Sequence, residues 1–92
     1  MVFKEIIIQK KGLKFLNVLI NKIDKINQNG GYAYITENTI RLQSKPNLLY
    51  NHRFEFNLKD SCLINYYFSK DGFKTFTYDK FIEKLEELCK IF

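Results

Sequence analysis

A chain of 92 residues, 46% hydrophobic and 27% charged, predicts one small domain spanning 1–92, long enough to bury roughly 60–65% of its unfolded surface without disulfide or metal staples. Two cysteines, one histidine and no long apolar run argue against a disulfide framework, a zinc site or other metal or cofactor, and a membrane span; with no leader-like segment, the expected location is cytoplasmic. The 15 Lys and Arg against 10 Asp and Glu leave a formal charge of +5, which points to an anionic partner, yet Lys (13), Asn (9), Ile (11), Phe (9) and Tyr (6), whose codons can be written in A and T alone, supply 48 of the 92 residues, so an AT-rich coding sequence accounts for part of that charge.

In chain order, the first segment, VFKEIIIQ, carries three consecutive β-branched isoleucines and is read as a strand closed by KKG. A helix from Val2 is the rival, because Phe3, Ile6, Ile7 and Leu13 also fit a 3.6-residue period. From Leu13 the helical stripe is clear in Leu16, Leu19, Ile20, Ile23 and Ile26, with Lys14, Asn17, Asn21, Lys25 and Gln28 opposite, and the glycines of NGG (29–31) end it. YAYIT and TIRLQ form a hairpin about Glu37-Asn38. Leu48 to Leu58 alternates: Leu48, Tyr50, His52, Phe54, Phe56 and Leu58 point one way and Asn51, Arg53, Glu55 and Asn57 the other. CLINYYFS and FKTFT follow across the turns KDS and KDG. Thr77 and Asp79 open a last helix whose stripe is Tyr78, Phe81, Ile82, Leu85, Leu88, Cys89 and Phe92. The expected fold is therefore an α+β two-layer sandwich, a mainly antiparallel sheet of about 5–6 strands with two helices on its apolar face, in the order β-α-β-β-β-β-β-α.

No catalytic set emerges from these elements. His52 and Arg53 face opposite sides of their strand, and His52 shares its side with Tyr50, Phe54 and Phe56, as a rim residue of the core does. With Leu58 paired to Cys62, the thiol lies roughly 20 Å from His52 at about 3.4 Å per residue, whereas a nucleophile and its base need about 3 Å. Cys89 falls on an apolar stripe, and Glu37, Asp60, Asp71, Glu83, Glu86 and Glu87 lie in turns or on a solvated helix face. No phosphate-cradling glycine motif is present.

The opposite face of the sheet is more informative. The same register sets Arg53 opposite Tyr67, Glu55 opposite Asn65 and Asn57 opposite Leu63, and the next hairpin adds Phe76 to that face if its turn is the two-residue Asp71-Gly72, or Phe73 if the turn has three residues. Arginine beside aromatic rings suits protein interface hot spots and the stacking of single-stranded bases. Arg53, Tyr67, Leu63, Asn65, Phe73 and Phe76 are thus the candidate partner-binding residues, with a secondary basic face at Lys14, Asn21 and Lys25.

A helix–three strands–helix stretch is also the topology of double-stranded-RNA-binding domains and of HicA-type RNA-cleaving toxins. The first use a lysine cluster to open the last helix, where this chain has Lys80 and Lys84 among Glu83, Glu86 and Glu87; the second approach their histidine through Gly-Ser, where this chain reads Tyr50-Asn51. Topology alone assigns no family. The function expected is a non-enzymatic binding module that occludes or positions a macromolecular partner, a protein or nucleoprotein complex first, in the manner of phage or mobile-element inhibitors of host nucleic-acid-directed defence such as anti-CRISPR proteins. The alternatives are direct RNA or DNA binding and a small RNase toxin using His52.

Overall fold

The computed structural model describes residues 2–45, 53–60, 63–68 and 72–92. Helices α1 (Phe3–Lys11) and α2 (Leu13–Gln28) are followed by strands β1 (Tyr32–Ile35), β2 (Thr39–Gln43), β3 (Arg53–Leu58), β4 (Leu63–Phe68) and β5 (Gly72–Thr77), and α3 (Tyr78–Ile91) closes the chain. Each strand pairs antiparallel with its neighbours in sequence, giving the order β1-β2-β3-β4-β5. This is an α+β fold with three helices and a five-stranded antiparallel sheet.

The first segment is a helix, not the strand that its isoleucines suggest. Phe3, Ile6 and Ile7 stand at i, i+3 and i+4 and are completely buried, while Ile8 remains exposed. Strand propensity is worth at most about 1 kcal/mol, and burying one such side chain contributes about 1.5–3 kcal/mol. The Phe3 ring meets Phe81 of α3 at a centroid distance of 5.1 Å, and Lys10 and Lys11 reach Asp79 and Glu86 of α3 at 2.8 and 3.1 Å. Packing therefore decides the segment. The break read at KKG survives as Gly12, whose φ of 89° separates α1 from α2.

α2 buries Leu16, Leu19, Ile23 and Ile26. α3 buries Phe81, Ile82, Leu85, Leu88 and Cys89, and its first turn is capped by Thr77, whose hydroxyl accepts from the Lys80 N–H at 3.4 Å. These residues share one cluster with Ala33, Ile40, Leu42, Phe54, Phe56, Ile64 and Tyr66 from the sheet, so the helices cover one face of it. Asn27, near the end of α2, ties that helix to β1 through two bonds with Ala33: its amide donates to the carbonyl at 2.9 Å and its oxygen accepts from the N–H at 2.8 Å.

The β1–β2 hairpin turns at Glu37-Asn38 as expected, closed by the Thr36 N–H donating to the Thr39 carbonyl at 2.8 Å. The β3–β4 hairpin departs from the expected register. Glu55 lies opposite Tyr67, Asn57 opposite Asn65 and Leu58 opposite Ile64. The cause is local: Lys59 N–H bonds the Leu63 carbonyl at 3.1 Å, and the Asp60 carboxylate accepts from the Leu63 N–H at 2.9 Å, an Asp side chain closing its own turn. Pairing moves by two residues along β4, an even step that leaves every side chain on its expected face. Between β4 and β5, Tyr67 pairs with Phe73 and Phe68 with Gly72, the three-residue turn of the two considered.

Candidate partner-binding face

Beyond the helices, the sheet presents a second face. Alternation turns Tyr32 and Tyr34 outward on β1, Thr39, Arg41 and Gln43 on β2, Arg53, Glu55 and Asn57 on β3, Leu63, Asn65 and Tyr67 on β4, and Phe73, Thr75 and Thr77 on β5. Among the described residues no helix or strand packs over them, and Tyr32 and Phe73 are 57% and 71% exposed.

Both arginines of the chain lie on this face. The Arg53 guanidinium sits over the Tyr67 ring, 4.6 Å from its centroid, and Arg41 over Tyr32 at 5.1 Å. A second ring flanks each stack: Phe73 lies 5.5 Å from Tyr67, and Tyr34 lies 5.6 Å from Tyr32. Arg41 donates to the Gln43 amide oxygen at 2.8 Å and draws no ion pair from Glu55, its neighbour across the ladder. Glu55 instead accepts from the Asn57 amide at 3.1 Å. The Nε–H of each arginine is shielded from solvent and has no acceptor among the described residues. Polar residues fill the rest: Thr39 donates to Asn57 at 2.9 Å, and Thr75 to Asn65 at 3.3 Å.

Most of the residues expected here are brought together. Arg53 and Tyr67 are in contact, diagonally rather than directly opposite, with Asn65 and exposed Phe73 beside Tyr67, while half-buried Leu63 shares the face but lies at the far end of β4 from them. Phe76 is a correction: the three-residue turn puts it opposite Ile64 on the core side, where its ring stacks on Tyr66 at 4.9 Å. The sequence reading missed Tyr32, Tyr34, Arg41 and Gln43, although the alternation in YAYIT and TIRLQ carried the signal. Lys14, Asn21 and Lys25 lie exposed along α2, away from this face. Tyr50, His52, Cys62 and Asp71 lie outside the described residues, and with them the expected separation of thiol and imidazole.

No cluster of three or more His, Cys, Asp or Glu that could hold a metal ion occurs among the described residues. A cavity of about 370 Å³ opens beside the end of α3, lined by Ser44, Phe54, Phe68, Lys84, Leu88, Ile91 and Phe92. Among the described residues its lining carries no side-chain carboxylate, imidazole or thiol. Cys89 is buried in the core, and burial pushes its thiol above the ordinary value of 9.0, with nearby Lys22 opposing the shift and Glu86 adding to it. A neutral, buried thiol is a poor nucleophile. In a Cys62→Ser background, which leaves one thiol to read, Cys89 should react with iodoacetamide at pH 8–9 at least about tenfold more slowly in the native protein than in denaturant; equal rates would show that the thiol is accessible.

No family model, curated protein or solved structure matches this chain. No helix among the described residues is long and apolar enough to cross a membrane.

Proposed function

We propose that the protein is a non-enzymatic binding module that occludes or positions a macromolecular partner, and that the helix-free face of the sheet is its contact surface. The supporting observation is the placement of both arginines on that face, each stacked on a tyrosine. In a chain with 13 lysines, the two residues able to offer a planar, five-donor fork both stand on the face that no described helix covers. A nucleoprotein assembly of the kind that directs host defence against foreign nucleic acid is the setting that the AT-rich, small and basic character of the chain suggests.

Arg53→Ala and Tyr67→Ala should each weaken partner binding about tenfold or more, a loss of at least ~1.4 kcal/mol, and should change stability by less than about 1 kcal/mol, as partly exposed positions do. Because Arg53 lies against Tyr67, the two losses should be non-additive. The measurement is capture of partners from host lysate, run with and without nuclease. Undiminished capture by the double variant would refute the face, and the contact would then be sought at Lys14, Asn21 and Lys25 on α2.

A further inference from the structure

Taking the helix-free sheet face as the contact surface, we infer that it takes single-stranded nucleic acid, with two base-stacking stations, one at Tyr32, Tyr34 and Arg41 and the other at Tyr67, Phe73 and Arg53. Protein interfaces concentrate apolar side chains at the centre and polar ones at the rim. This face has the opposite anatomy. Its centre, on β2 and β3, holds Arg41, Gln43, Arg53, Glu55 and Asn57, and its rings stand at the two ends, on β1 and on β4 and β5. Two ring pairs with cations between them suit bases laid across the sheet with phosphates over the middle.

Charge points the same way. Among the described residues the face carries two guanidinium groups and one carboxylate, and that carboxylate is held by Asn57. Each arginine lies on its ring with its Nε–H shielded from solvent and without an acceptor among the described residues. A phosphate or base edge drawn to the fork therefore meets its Nη donors, in charge-assisted hydrogen bonds. β1 and β4 are three inter-strand steps apart, about 14 Å at ~4.8 Å per step. A single strand must bridge that gap to engage both stations, within the ~4–16 nucleotides that comparable platforms occupy.

The test is fluorescence anisotropy with labelled oligo-U, oligo-dT and a duplex, in lengths of about four to twelve nucleotides and over roughly 50–200 mM salt. Single strands should bind at least about tenfold more tightly than duplex, with most of the affinity gained by about eight nucleotides; the ratio of oligo-U to oligo-dT assigns the strand as RNA or DNA. Tyr32→Ala and Tyr67→Ala should each weaken binding about tenfold, the loss expected for a base-stacking ring, with circular dichroism confirming that each variant is folded. Arg53→Ala should flatten the slope of log K against log salt by about 0.7, and Arg53→Lys should restore the slope without restoring the affinity, because the plane is lost while the charge remains. Preference for duplex overturns the inference. So does failure to bind any oligonucleotide while a nuclease-treated lysate yields a protein that the Arg53→Ala/Tyr67→Ala variant loses, an outcome under which the contact face itself stands. Oligonucleotide binding that the substitutions leave unchanged overturns both the inference and the contact face.

Discussion

Replacing Phe56 with alanine should destabilise the fold by about 3–5 kcal/mol, the largest effect expected of any single side chain discussed. Phe56 is completely buried on the central strand β3, where its ring meets Tyr66 of β4 at 5.0 Å and the edge of Phe81 of α3 at 5.0 Å. Phe81 in turn touches Phe3 of α1, so one ring on β3 supports the contact between the first and last helices. Truncation leaves a cavity that three elements must close over, and rigid strands and helices collapse poorly. Against a total stability of roughly 5–14 kcal/mol for a chain of this length, the loss should lower the melting temperature by more than roughly 12 °C. A thermal unfolding curve shifted by less than about 5 °C would show that the ring is not the keystone described.

Gly31→Ala is the second large effect. A β-carbon built at Gly31 would stand 2.5 Å from the Gln43 carbonyl oxygen, 2.6 Å from the Ile26 side chain and 2.9 Å from the Ile26 carbonyl oxygen. Two of those neighbours are backbone and both are engaged: the Ile26 carbonyl accepts from the Gly31 N–H at 2.8 Å, and Gln43 pairs with Tyr32 in the ladder. Neither can move aside cheaply. The chain passes so closely between the end of α2 and strand β2 that only a hydrogen fits, and the substitution should cost about 3 kcal/mol, the upper part of the range for overpacking. Gly72→Ala is the control. Gly72 has a φ of 74° with nothing within 4 Å of the added carbon, so its cost should be about 1–2 kcal/mol from the left-handed backbone alone. Equal denaturant midpoints for the two variants would contradict the steric account.

The parts of this fold legible in the sequence are those whose signal repeats. The stripes of α2 and α3 each run over at least three turns, and the burial of Leu16, Leu19, Ile23, Phe81, Leu85 and Leu88 follows from spacing alone. The outward placement of Arg53 and Tyr67 was legible for a different reason. Side chains alternate with period two, so a register error of two residues changes the neighbours and preserves the face. What escaped was set by single contacts. The first nine residues fit both periods, and Phe81, far along the chain, settles them in favour of a helix. One Asp60 carboxylate resets the β3–β4 pairing. The length of one turn decides that Phe73 faces out and Phe76 in. The Tyr32–Arg41 cluster was written in a plain alternation, but its meaning depends on a second cluster at the other end of the sheet.

Among the described residues the strictly sequential strand order leaves β1 and β5 with one unpaired side each, and an open β-edge invites extension by another chain. β1 has only four residues, too short a template for much pairing. β5 is longer and carries exposed Phe73, yet Lys74 sits mid-strand opposite Tyr66, on the core-facing side of the sheet. A strand added beside β5 would crowd that exposed ammonium on the helix-facing side and take it from water. A charge on the inward side of an edge strand disfavours such pairing, so Lys74 guards the border that Phe73 would otherwise make adhesive.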